Sequence, residues 1–303
     1  ALSSHGSRSA ELAHVVLPAA SSWSESEGTV TNSERCISRV RAAVPPSGQA
    51  RHDWQIAAQI GQRMALALER TDDARLLDYV NAEQVWNEHR ESTRGRDLDI
   101  TGLNYALLAQ SPAQWPRPEG ATQSQPRLYT DGRFATPDGR ARFAAVRWEP
   151  VAEERVSQFP FSLTTGRLRD QWHGMTRTGT AGRLFAHSPE PCVQMNPLDI
   201  QRLGLRDGEL AQVCSKRGRL VLPVQASTQV APMQAFIAMH WGPEVLSGRD
   251  ANGQPGLGVN VLTTSSFCPS SKQPELKHAA VQITPLAVQG TWSLAAMAWL
   301  PAE

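Results

Sequence analysis

Five short apolar segments, FSLTT (161–165), ELAQVCS (209–215), RLVLPVQA (219–226), QAFIAMH (234–240) and HAAVQI (278–283), follow one another with Gly, Pro and Asn between them. Runs of this length and punctuation read as strands, and strands of this kind must close on one another or on a second layer to bury their apolar faces. One short helix interrupts them. Asn196-Pro197 offers an N-cap and a first-turn proline, Leu198, Ile200 and Leu203 an apolar face, and Gly204 a C-terminal stop. Asp207-Gly208 then leads into a hairpin whose tip is Lys216-Arg217-Gly218. A mostly-β region with one or two helices predicts a compact barrel.

The first third has a different texture, that of α/β material. A short apolar strand at Val15 to Leu17 is stopped by Pro18, and the run Ala19 to Ser26 is small and polar. GTVTNSERCISRVRA reads as a loop. From Asp53, a plausible N-cap, the positions Trp54, Ala57, Ala58, Met64 and Leu68 recur at helical spacing; a less regular helical pattern runs through Leu76, Leu77, Val80 and Trp86. Between about Arg90 and Pro150 the chain turns to Gly, Pro, Arg and Gln. That stretch predicts turns and one or two short strands in a segment crossing between domains.

A length of 303 residues is enough for two domains. Lys and Arg number 30 against 29 Asp and Glu, so the net charge of +1 gives no reason to expect a nucleic-acid or membrane-surface partner. Cys36, Cys192, Cys214 and Cys268 show no C-x-x-C spacing, and the eight histidines show no H-E-x-x-H, so no metal site is expected from this chain's side chains. G-x-S-x-G, Walker and G-x-G-x-x-G motifs are missing, which removes the usual signatures of triad hydrolysis, phosphoryl transfer and dinucleotide-dependent hydride transfer. With no apolar run near the ~18 residues of a membrane span, a cytoplasmic protein is expected. The first residue is Ala1 rather than methionine, and the expectation is a piece of a longer polypeptide.

Four clusters bear on chemistry. TTGRLRDQWHGMTRTG (164–179) sets Arg167, Arg169 and Arg177 around glycines, with Trp172 and His173 between them. Guanidinium forks suit phosphate or carboxylate, and an indole with an imidazole suits a flat polar heterocycle; a solvated basic turn is the other reading. Met239-His240-Trp241-Gly242 ends a strand with a thioether, an imidazole and an indole. Asn260 could read a heterocycle edge, or be a plain turn residue, and Lys272 and Lys277 bring ammonium groups to the entry of the last strand. Together these are hydrogen-bonding loops around a barrel, suited to a large polar cofactor.

The order of the phrases FSLTTGRLRDQWHGMTRTG, HSPEPCVQMNPLDIQRLGLRDGELAQV, AFIAMHWG and NVLTTSSFCPSSKQPELKHAAV, preceded by VVLPAASSWSESEGTVTNSERCISRVRAAVPPSGQARHDW and DGRFATPDGRARF, resembles the C-terminal part of bacterial assimilatory nitrate reductases, in the dimethyl sulfoxide reductase family. The resemblance implies an α/β remnant over residues 1–90, a crossing segment over 91–156, a double-psi β-barrel that binds the molybdopterin dinucleotide over 157–285, and an extension over 286–303. It implies a molybdenum cofactor with two molybdopterin guanine dinucleotides. Contacts to it fall on Thr165, Gly166, Arg167, Leu168, Arg169, Asp170, Gln171, Trp172 and His173, and on Asn260 and Lys277; Met239 stands near the substrate, where related periplasmic enzymes have an aromatic residue. Gly174 and Cys36 replace a usual threonine and arginine. The family's [4Fe-4S] cysteines and molybdenum ligand have no counterpart in the chain. The implied reaction is nitrate to nitrite, with electrons from a ferredoxin, a flavodoxin or an NADH-linked reductase subunit. Formate dehydrogenase of the same family and a non-catalytic pterin-dinucleotide-binding fragment are the alternatives.

Overall fold

The computed structural model describes residues 2–3, 8–20, 24–145, 147–179, 181–184, 187–243, 245–246 and 256–286. Most of the expected C-terminal extension therefore lies outside the described residues. The chain divides into two units, 1–145 and 146–303.

The first unit opens with β1 (Leu2–Ser3) and β2 (Leu17–Pro18), which pair in parallel around the single-turn helix α1 (Arg8–Glu11). The polar stretch read as a loop is a hairpin, β3 (Gly28–Thr31) against β4 (Cys36–Val40), with Gly28 opposite Val40. Its turn is closed by Asn32, whose Oδ1 accepts from the Glu34 and Cys36 amides, and by Arg35 in the left-handed region at φ 65°. Helix α2 (Asp53–Ala67) follows, and its N-cap is His52 rather than Asp53. Asp53 occupies the first helical position, where its charge favours the positive end of the helix dipole. The second helical pattern splits into α3 (Thr71–Leu76) and α4 (Ala82–Ser92), because the Asn81 side chain accepts from the Gln84 amide and starts a new helix. Helix α5 (Tyr105–Gln110), capped the same way by Asn104, and β5 (Ala113–Gln114), paired with β4, complete the unit. Ile37, Trp86, Ile100, Leu103 and Leu108 form its core.

The second unit is the expected barrel, closed by six strands: β6 (Phe161–Gly166), β7 (Val193–Met195), β8 (Leu210–Cys214), β9 (Arg219–Ala226), β10 (Gln234–Ala238) and β11 (Ala279–Pro285), in the order β10-β6-β11-β8-β9-β7. Pairings β10–β6 and β7–β9 are parallel and the rest antiparallel. Along β9, exposed and buried residues alternate, with Leu220, Leu222 and Val224 inward; these meet Leu163, Met195 and Val281 in one core. Helix α6 (Pro197–Arg202) is capped by Asn196 and stopped by Gly204 at φ 68°, and the buried Asp199 carboxylate accepts from the Met233 amide at 2.6 Å.

A strap at residues 152–153 fastens one end of the barrel. Both oxygens of Glu153 accept from Arg217 at 3.0 and 2.8 Å, one also accepts from the Ala280 amide, and Arg217 reaches on to the Leu262 carbonyl. Chiefly through the Arg217 hydrogen bond, the Glu153 carboxyl is held below its ordinary value of 4.5. A lowered folded-state pKa means that the stabilisation is complete above 4.5 and is lost as pH falls below it. Glu153→Gln is expected to cost about 1–3 kcal/mol at pH 7 and to flatten this acid dependence in urea titrations; a variant with the wild-type stability at both pH 7 and pH 4 would contradict the assignment.

Candidate cofactor-binding mouth of the barrel

Topology gathers four loops at one end of the barrel. β6 and β10 run in parallel with Gly166 beside Ala238, so the 167–179 loop and Met239 leave from the same edge. β11 runs the other way and begins there, placing Lys277 beside Thr165; its Nζ donates to the Thr165 carbonyl at 2.6 Å. The β8–β9 tip completes the end. A Cβ on Gly218 would come within 2.4 Å of Val261, so the tip packs directly against the segment that carries Asn260.

The loop after β6 is anchored from within. Met175 is buried with Ala238 and Trp241, and Leu168 packs against them. Gln171 is buried and exchanges hydrogen bonds with Thr178 at 2.9 and 3.1 Å. His173 and Met175 both sit at positive φ, 29° and 59°, an unfavourable backbone for such residues that the surrounding contacts hold in place. Leu168 and Gln171 thus hold the loop's shape, and its exposed cationic and aromatic members are Arg167, Arg169, Trp172, His173 and Arg177.

These exposed cations differ. Arg169 is engaged with Asp170 at 2.9 Å and with His187, which also pairs with Asp170; chiefly through Arg169, the Asp170 carboxyl is held below the ordinary carboxylate range. Arg177 donates to the Arg169 carbonyl. Arg167 lies over the Trp172 ring, 4.6 Å from its centroid, and makes no ion pair among the described residues. Its planar edge is therefore available to an anion.

Beside it lies a pocket of about 390 Å³, lined by His173, Gly174, Met239, Trp241, Gly258 and Asn260 among others. Three residues singled out in separate parts of the sequence, His173, Met239 and Asn260, meet here. Gly258 allows the close approach that shapes it, since a Cβ would stand 2.5 Å from the Trp241 carbonyl oxygen. Sequence reasoning placed His240 in the cluster that ends a strand but gave it no role of its own; it is buried and bonded to both ends of the 168–173 segment. Its place at the end of the QAFIAMH segment was the available signal.

Comparison with known proteins agrees with this geometry. The family model of the molydopterin dinucleotide binding domain matches residues 161–280, the barrel and its mouth, and that of molybdopterin oxidoreductase matches residues 3–63. The chain carries a molydopterin dinucleotide binding domain and a segment of molybdopterin oxidoreductase type. Over 282 residues it is 39% identical to a protein of Synechocystis sp. named nitrate reductase, the match covering 91% of the chain and 37% of that protein. A nitrate reductase of Klebsiella oxytoca is 36% identical over 283 residues, with 89% and 30% covered. The chain thus spans about a third of the length of the curated relatives it matches. Among solved structures, acetylene hydratase from Pelobacter acetylenicus shares the fold, with TM-score 0.64 and 17% identity over 89% of the chain and 38% of that structure. No helix among the described residues is long and apolar enough to cross a membrane.

Proposed function

We propose that this chain is the cofactor-holding C-terminal part of a molybdenum-dependent nitrate reductase that converts nitrate to nitrite in the cytoplasm for assimilation. The observation that carries the reading is the barrel mouth itself, with the Arg167 guanidinium, free of ion pairs among the described residues, near a pocket where His173, Met239 and Asn260 converge.

The donor set fits a pterin guanine dinucleotide. Arg167, and Lys277 beside Gly166, bring cationic donors to the diphosphate. The Asn260 side chain, exposed on its short helical turn, offers both a donor and an acceptor to a heterocycle edge, and Trp172 offers an aromatic face. The pocket volume lies in the range of small-molecule sites, on the order of 300–1,000 Å³. When bound, the molybdenum cofactor supplies the two-electron oxygen-atom chemistry that turns nitrate into nitrite. The chain's own residues bind and orient the dinucleotide, and Met239 shapes the approach to the substrate. The cationic rim attracts an anionic substrate toward the mouth.

On this reading the molybdenum ligand, the [4Fe-4S] cysteines and the docking site for a ferredoxin, flavodoxin or NADH-linked donor lie in other parts of the protein. Nitrate is favoured over formate by the DQWHGMTRTG and AMHWG phrases and by relatives named nitrate reductase at 39% and 36% identity, against 31% and 28% for those named formate dehydrogenase. The full-length protein, purified with its cofactor and supplied with a reduced dye, is expected to form nitrite from nitrate; formate oxidation without nitrate turnover would overturn the choice.

A further inference from the structure

His240 is buried to 1% exposure at the end of β10, and both of its ring nitrogens are committed to the loop after β6. Nε2 accepts from the Leu168 amide at 2.8 Å, and Nδ1 faces the His173 carbonyl at 2.6 Å. An amide can only donate and a carbonyl can only accept, so these partners fix the imidazole as neutral with its proton on Nδ1. The ring therefore ties the start of the loop to its middle, across the four residues between Leu168 and His173. Those four residues include Arg169 and Trp172, and Arg167 adjoins Leu168.

We infer that His240 is a positioning residue, which through a neutral Nδ1–H imidazole sets the conformation in which the Arg167–His173 loop presents its donors to the ligand. No other side chain among the described residues bonds to both ends of this segment. The positive φ of His173, 29°, is the backbone conformation in which its carbonyl meets both His240 and the Met175 amide. The proposal rests on the cofactor-binding reading only for its consequence on ligand affinity.

Protonation would convert Nε2 from acceptor to donor and set it against the Leu168 amide. The charged or titratable groups facing His240 are Arg167 and His173 on the loop; the 257–261 segment that shares its pocket carries none. Burial chiefly, with these two groups adding to it and the His173 carbonyl bond opposing it, places His240 below its ordinary 6.5. For a base with a lowered folded-state pKa, the unfolded chain takes up the proton first. The ordering contribution is thus complete above 6.5 and declines as pH falls below it.

Hydrogen exchange on the 303-residue chain tests this. In His240→Phe, which keeps a flat ring but no nitrogens, Leu168 amide protection is expected to drop at least tenfold while the Ser162 amide in β6 is unchanged. His240→Gln, whose side-chain oxygen can stand where Nε2 stood, is expected to recover part of that protection. Wild-type Leu168 protection should weaken below pH 6.5 and that of the Gln variant should not. If the Phe variant loses Ser162 protection as well, the pH comparison between wild type and His240→Gln decides alone. Equal Leu168 protection in wild type and a folded Phe variant, or an identical pH response in wild type and Gln variant, would overturn the proposal. Calorimetric titration with guanosine diphosphate separates the two readings: binding to wild type that weakens in the Phe variant supports both, and no binding to wild type counts against the cofactor reading while the exchange result still decides the role of His240.

Discussion

Leu163→Ala is expected to lower the stability of the barrel by about 2–5 kcal/mol. Leu163 is 1% exposed at the middle of β6, the strand that pairs with both β10 and β11, and its register neighbours there are Ala235 and Ala279. Small partners on either side cannot swell to fill the space that a leucine leaves, so the lost transfer free energy and the cavity add together. Val221 on the outer face of β9 is 45% exposed, and Val221→Ala should stay within about 0.5 kcal/mol. Guanidinium titrations followed through exchange of the β6 and β11 amides would measure both. Equal effects of the two substitutions would mean that the 161–283 core is not organised as described.

The barrel was legible because its strands carry their own evidence. β9 shows in the sequence as the short apolar run from Leu220 to Val224 between polar ends, and each of the five segments read as strands is one. The sixth, β7, was missed. It has three residues, with only Val193 and Met195 buried, too short for a period to show. The β3–β4 hairpin was hidden for a different reason. Its stabilising contacts are polar, with Arg39 pairing to Glu27 and lying over the Tyr105 ring, and only Ile37 of β4 is buried. A hairpin held by a guanidinium under an aromatic ring resembles a loop in any hydrophobicity pattern. Helix α5 was hidden by its Gly- and Pro-rich surroundings, although Asn104 supplies a proper cap.

The candidate site was legible as residue types and not as an arrangement. Arginines around glycines after a strand pointed to an anion, yet nothing in the sequence distinguishes Arg169, which is engaged with Asp170, from Arg167, which is not. That difference arises from the path of the loop, which the buried Met175, Gln171 and Thr178 determine. Likewise, the meeting of His173, Met239 and Asn260 depends on the parallel pairing of β6 with β10 and on the contact of Gly258 with Trp241. Long-range pairings of this kind are written in no local motif.

Arg167 carries the largest expected effect on the cofactor. A hydrogen bond to a charged group contributes about 1.5–3 kcal/mol, and each 1.4 kcal/mol is about tenfold in affinity, so Arg167→Ala should weaken cofactor retention by about tenfold or more. Loss of the guanidinium also leaves Trp172 without the cation that lies over its ring. Arg167→Lys keeps the charge but not the planar fork, and an intermediate effect is expected from it. The most direct test of the central claim is to purify the full-length protein and measure molybdenum together with the nucleotide released on acid hydrolysis. The account predicts guanosine monophosphate accompanying molybdenum in the wild type, with both falling together in Arg167→Ala. Unchanged molybdenum and guanosine monophosphate in that variant, or molybdenum in the wild type with no guanosine monophosphate, would contradict it.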